Sequence, residues 1–138
     1  MLDTCVASLL LRRDALLSPL YVAHLSNATA SLSFQTVAEL RFGALNANWG
    51  EARRQGLEDF IRRFVVVPSS SSVTNHCATV RLNAKRSGRP ISVQDAWIAA
   101  CALDIGATLL THDGDFQAAN CPNLVLVRYD AQGIRVQI

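Results

Sequence analysis

Asp3, Glu39, Asp95, Asp113 and Asp115 each stand where an apolar strand is expected to give way to a helix, inside apolar or small-residue segments. The chain holds only eleven Asp and Glu in all, so five in such settings are a large share. Carboxylates gathered away from charged faces lose solvation and repel one another, and a hard divalent cation such as Mg²⁺ or Mn²⁺ is the usual neutralising partner. The chemistry open to such a cluster is metal-assisted.

Each acid also has a structural explanation. Thr36 with Glu39 fits the S/T-x-x-E capping box, and Ser92 with Asp95 fits a looser version of it. Asp115 reads as an N-cap and Asp113 as a turn residue, because T-H-D-G-D-F carries Asp-Gly and Gly-Asp loop signals. Asp3 is harder to explain this way, lying between Leu2 and a helix of apolar residues. Capping accounts for the acids singly, but not for their recurrence at helix starts along one sheet edge.

The elements that must position these residues alternate between strand and helix, as in one α/β domain spanning residues 1–138. Met1–Leu2 ends a first strand, followed by a helix over Thr4–Arg13. Ser18 caps a helix with Pro19 at its first position, running to about Asn27. Ala30–Phe34 reads as a strand, Thr36–Ala47 as a helix and Glu51–Arg63 as an amphipathic helix. Phe64–Val67 is a β-branched strand stopped by Pro68. The serines at 69–72 cap a helix over Val73–Ser87, closed by Gly88. Ser92 caps Val93–Asp104, Gly106 ends it, and Ala107–Thr111 is a strand. Asp115–Ala119 is expected as a helical turn and Leu124–Val127 as a last strand. Short apolar strands between helices point to a parallel sheet covered on both faces, with ligands beyond the carboxyl ends of its strands.

The net charge of +2 conceals a division: without the five acids, thirteen basic residues face six acidic ones, and twelve of the thirteen are Arg. An acidic centre in a basic surround fits a polyanionic substrate. Arg86 and Arg89, close in sequence to the loop leading to Asp95, are candidates for substrate contact. His112 adjoins Asp113, but strand alternation turns neighbours to opposite faces and favours a structural role. Trp49 and Trp97 suggest base stacking, although the apolar setting of Trp97 favours packing. No apolar stretch reaches the roughly 20 residues a membrane helix needs. Cys5, Cys77, Cys101 and Cys121 lack metal-binding or pairing patterns and read as free thiols of a reducing cytoplasm.

Four segments then share a pattern: L-D-T-C-V (2–6), S-F-Q-T-V-A-E-L-R-F-G-A (33–44), I-S-V-Q-D-A-W-I-A-A-C-A-L (91–103) and L-L-T-H-D-G-D-F (109–116). In this order they resemble the PIN-domain family, most closely the VapC-type ribonuclease toxins of toxin–antitoxin pairs. The resemblance implies a three-layer α/β/α sandwich with a central parallel sheet. It also implies an endoribonuclease using one or two Mg²⁺ or Mn²⁺ ions held by Asp3, Glu39, Asp95, Asp113 and Asp115, with Thr4 and Thr111 supporting. Asp3, Asp95 and Asp113 are the expected direct ligands, Glu39 a ligand or water orienter, and Asp115 a residue fixing its neighbours from behind. A VapB-type antitoxin, an RNA substrate and a homodimer are the implied partners. Cys5 departs from the family, which more often has Asn there, and only two residues precede Asp3. A receiver-type switch would want an early acidic pair and a late Lys, whereas the sole Lys is Lys85. A phosphatase of the haloacid-dehalogenase kind would want an acid at position 5. A non-catalytic PIN-fold binding module is the remaining alternative.

Overall fold

The computed structural model describes residues 1–137. In chain order its elements are α1 (Thr4–Arg12), α2 (Leu17–Ala23), β1 (Ser31–Ser33), α3 (Phe34–Asn46), α4 (Glu51–Ile61), β2 (Val65–Val67), α5 (Ser71–Ser87), α6 (Val93–Asp104), β3 (Leu109–Thr111), β4 (Leu126–Tyr129) and β5 (Arg135–Val136). β1 pairs in parallel with β2, and β3 in parallel with β4. Leu2 joins the two halves, bridging in parallel to Leu32 on one side and Leu110 on the other. The expected first strand is thus a single bridging residue. It is held by Leu2 N–H to the Ser31 carbonyl at 2.9 Å and Asp3 N–H to the Leu110 carbonyl at 3.0 Å.

Side-chain alternation along these strands sorts residues between two cores. Met1, Val67 and Leu109 face Val73, Cys77 and Val80 of α5 and the alanine-rich side of α6. Leu2, Leu32, Leu110 and Val127 face apolar residues of α1, α2, α3 and α4. Helices therefore cover both faces of a mainly parallel sheet, giving the expected three layers.

Several boundaries differ from expectation, each for a local reason. α1 stops at Arg12 because Arg13 takes the left-handed conformation, φ 56°, as C-cap. α2 begins before Ser18: Asp14 Oδ1 accepts from the Leu16 and Leu17 amides at 3.1 and 2.8 Å, leaving Ser18 Oγ to donate to the Leu9 carbonyl. The helix ends at Ala23 rather than near Asn27. α3 starts at Phe34 because Ser33, not Thr36, is the N-cap, its Oγ accepting from Thr36 N–H at 2.9 Å. Ser92 caps α6 as expected, and within the serine run at 69–72 it is Ser70 that caps α5, so the helix begins at Ser71 rather than Val73. Asp115–Ala119 is not a helical turn but a bend followed by a turn ending at Asn120. β4 lies two residues later than expected, which preserves its inward face. β5 was not anticipated and adds an antiparallel edge to the sheet.

Candidate functional site

Four chain segments carry the five acids. Asp3 follows the Leu2 bridge and is the N-cap of α1, its Oδ1 accepting from Val6 N–H at 2.6 Å. Asp113 and Asp115 follow β3, and Asp95 stands in the first turn of α6. Glu39 sits deeper in α3 than the capping-box reading expects, since the helix begins two residues earlier. Freed from capping, Glu39 turns to α1: Oε2 accepts from Thr4 Oγ1, and Oε1 accepts from Gln35 Nε2 at 3.2 Å.

Asp95, Asp113 and Asp115 each place a carboxylate oxygen within 4.8 Å of the others. Asp115, expected behind its neighbours, is thus one of the three mutually close carboxylates. Asp95 Oδ2 accepts from Ser92 Oγ at 2.5 Å, while its amide donates back to the same oxygen at 2.9 Å. Asp113 Oδ1 accepts from Asp115 N–H at 2.9 Å, closing the Asp-Gly-Asp bend. Asp3 is 2% exposed, and its Oδ2 accepts from Thr111 Oγ1 at 2.5 Å and from His112 N–H at 3.3 Å. Thr111 Oγ1 in turn accepts from Asp113 N–H at 2.9 Å. One hydroxyl therefore ties two acids together.

The electrostatics bind all five into one field. Burial pushes the Asp3 carboxyl up to about 6, opposed by its bonds from Thr111, Val6 and His112, with the charge of Asp113 adding to the rise. Burial also raises Asp95; its Ser92 bond opposes the rise, and Asp113, Glu39 and Asp115 add to it. The Cys5 thiol goes up to about 11, first through burial and then through Asp3, Asp113, Asp95 and Glu39. Among the described residues no basic side chain is ion-paired with these acids, the ion pairs being Arg41–Glu58 and Arg62–Asp59, both elsewhere. A hard cation suits this all-oxygen donor set on chemical grounds.

Two supports escaped the sequence reading. Asn120 is fully buried, accepts from Ser87 Oγ at 3.1 Å and donates to the Asp115 carbonyl at 3.5 Å, fastening the acidic loop to α5. Arg128 donates to the Asp113 carbonyl at 3.4 Å. Neither carried a signal, because a lone Asn after alanines and a lone Arg in a strand are ordinary. Of the other candidates, Arg89 donates to Gln117 in the loop after Asp115, while Arg86 is exposed at the end of α5. Trp97 packs on Phe34 with ring centroids 5.7 Å apart, and Trp49 lies under the Arg53 guanidinium at 3.7 Å. The four cysteines are free thiols.

A family model described as the PIN domain matches residues 1–120. The chain belongs to the PIN-domain family. Among similar proteins, ribonuclease VapC1 of Haemophilus influenzae strain R2866 is 32% identical over 114 residues, 82% of this chain and 85% of that one. Ribonuclease VapC2 of Rickettsia felis is 29% identical over 133 residues, 94% and 97% of the two chains. Among solved PIN structures, VapBC2 of Rickettsia felis bound to a promoter DNA fragment matches with a TM-score of 0.79 at 25% identity, over 93% and 96% of the two chains. FitAcB of Neisseria gonorrhoeae matches with a TM-score of 0.71 at 30% identity, over 91% and 94%. No helix among the described residues is long and apolar enough to cross a membrane.

Proposed function

We propose that this PIN domain, residues 1–138 as one unit, is an Mg²⁺- or Mn²⁺-dependent endoribonuclease and the toxin of a toxin–antitoxin pair. The observation that carries the reading is the approach of Asp95, Asp113 and Asp115 within 4.8 Å with no basic partner among the described residues. The named relatives are ribonucleases, and the chain covers most of their length.

When bound, a divalent ion lowers the pKa of a coordinated water and neutralises charge building on the scissile phosphate. Asp95, Asp113 and Asp115 offer oxygens to such an ion. A carboxylate has about four acceptor positions, and Asp3 uses three of them on Val6, Thr111 and His112, leaving one. Asp3 therefore adds charge and at most a single donor position. Glu39, anchored by Thr4 and Gln35, retains acceptor capacity to orient a water. Thr4 and Thr111 hold the acids in place rather than meeting the substrate.

The partner this reading implies is a VapB-type antitoxin, since solved relatives are VapBC complexes. A homodimer and a cytoplasmic setting belong to the same proposal, the latter in keeping with four unpaired thiols.

The test is cleavage of a mixed RNA pool by purified protein with Mg²⁺, with Mn²⁺ and with EDTA. Cleavage is expected with either ion and not with EDTA. Asp113→Asn and Asp95→Asn should lower it about a hundredfold or more while retaining the fold. Undiminished cleavage in EDTA, or by both variants, would falsify the reading.

A further inference from the structure

Tyr21 of α2 is fully buried, and its hydroxyl lies at the strand end that carries the acids. The phenol donates to the Thr111 carbonyl at 2.7 Å and accepts from Tyr129 N–H at 3.3 Å. It also lies 3.3 Å from His112 Nδ1. A phenol has one proton, and the shorter bond to Thr111 takes it. His112 then meets the phenol oxygen as an Nδ1–H donor. Burial pushes the phenol up to about 12, so it stays neutral and keeps its proton.

The residue whose carbonyl Tyr21 binds is the one whose side chain organises the acids. Thr111 Oγ1 donates to Asp3 and accepts from the Asp113 amide, while the next amide, of His112, donates to Asp3. A rotation of the Thr111–His112 peptide would move the His112 amide that donates to Asp3, and a shift of the Thr111 backbone would carry with it the two bonds made by Oγ1.

We propose that Tyr21 is a positioning residue for the acidic centre. Its hydroxyl fixes the Thr111 carbonyl and the His112 ring, and through the Thr111 side chain it holds Asp3 and Asp113 in the register that receives a divalent cation. This rests on the metal-centre reading above. The competing role is packing alone, for the Tyr21 ring stands edge-on to Tyr129 at 5.2 Å. Removing only the hydroxyl separates the two, because the ring remains.

The experiment compares Mn²⁺ binding by calorimetry, without RNA, in wild type, Tyr21→Phe and Tyr129→Phe. Tyr129→Phe removes a hydroxyl that meets His24 Nε2 at 2.9 Å and leaves the ring against Tyr21. Tyr21→Phe should weaken Mn²⁺ binding about tenfold and lower kcat by a similar factor with KM little changed, whereas Tyr129→Phe should bind Mn²⁺ as wild type does. Equal losses in both variants, or none in Tyr21→Phe, overturn the proposal. Should Tyr21→Phe not fold, fluorotyrosine labelling of the wild type decides, since the chain has only two tyrosines and Tyr129→Phe assigns their signals. Titration with Mg²⁺ should shift the Tyr21 signal more than that of Tyr129; an unmoved Tyr21 signal overturns the proposal. Wild type that binds neither ion sinks the metal-centre reading as well, while normal binding by Tyr21→Phe sinks this inference alone.

Discussion

Asp3 caps a helix with one oxygen and accepts from Thr111 and His112 with the other, yet it remains a buried carboxylate whose pKa has climbed to about 6 from 3.8. The folded chain therefore holds a proton that the unfolded chain would release between about pH 4 and about pH 6, so the metal-free protein is expected to lose stability as pH rises through that window. The effect is on the order of 3 kcal/mol at most for Asp3, and the upward shift of Asp95 acts in the same direction. Melting of EDTA-treated protein should be higher near pH 5 than near pH 7.5, and Asp3→Asn should shrink that difference. A melting temperature independent of pH in wild type, or a pH dependence unchanged in the variant, contradicts the assignment. The identities of the acids were legible in the chain because each stood in an apolar context. Their hydrogen bonds were not: Asp3 appeared free of a capping role and has one, whereas Glu39 appeared to cap and instead reaches Thr4. Both outcomes follow from where a helix starts, which a short run of Ser and Thr leaves open.

At the scale of elements, α6 shows what a cap does beyond stabilising its helix. Ser92 Oγ accepts from the Asp95 amide and donates to the Asp95 carboxylate, so one hydroxyl satisfies an orphan helix N–H and aims a candidate ligand. Ser92→Ala should cost about 1 kcal/mol in urea unfolding and also weaken Mn²⁺ binding; a loss of stability with unchanged binding separates the two roles. Ser92 was readable because it directly precedes a helical pattern, whereas the run at 69–72 promised a cap without saying which serine supplies it. The start of α2 was not readable, because Asp14 reaches forward to two amides while the Ser-Pro pair after it imitates a helix start. β5 was missed for a different reason: two residues cannot display a period, and the Gly133 turn that returns the chain, at φ 79°, was the only local sign.

For the whole molecule, the sheet is continuous only because Leu2 bridges its two halves, and the same residue contributes a fully buried side chain to the core beneath α1–α4. Short, uniformly apolar strands between helices made a sheet covered on both faces legible, and each strand sends neighbours to opposite cores. That pattern did not reveal that one residue would stand in for a central strand, because bridge length depends on where flanking chains diverge. Leu2→Ala keeps the backbone bonds to Ser31 and Leu110 but leaves a cavity where no solvent reaches, so a loss of about 2–5 kcal/mol is expected in equilibrium unfolding. Leu110 shares that core and the bridge, so Leu110→Ala should cost a similar amount. The double variant should depart from additivity by about 0.5 kcal/mol or more, because the two side chains line one volume. Strict additivity in that cycle would show that the two side chains pack independently and that the bridge joins the halves through its backbone bonds alone.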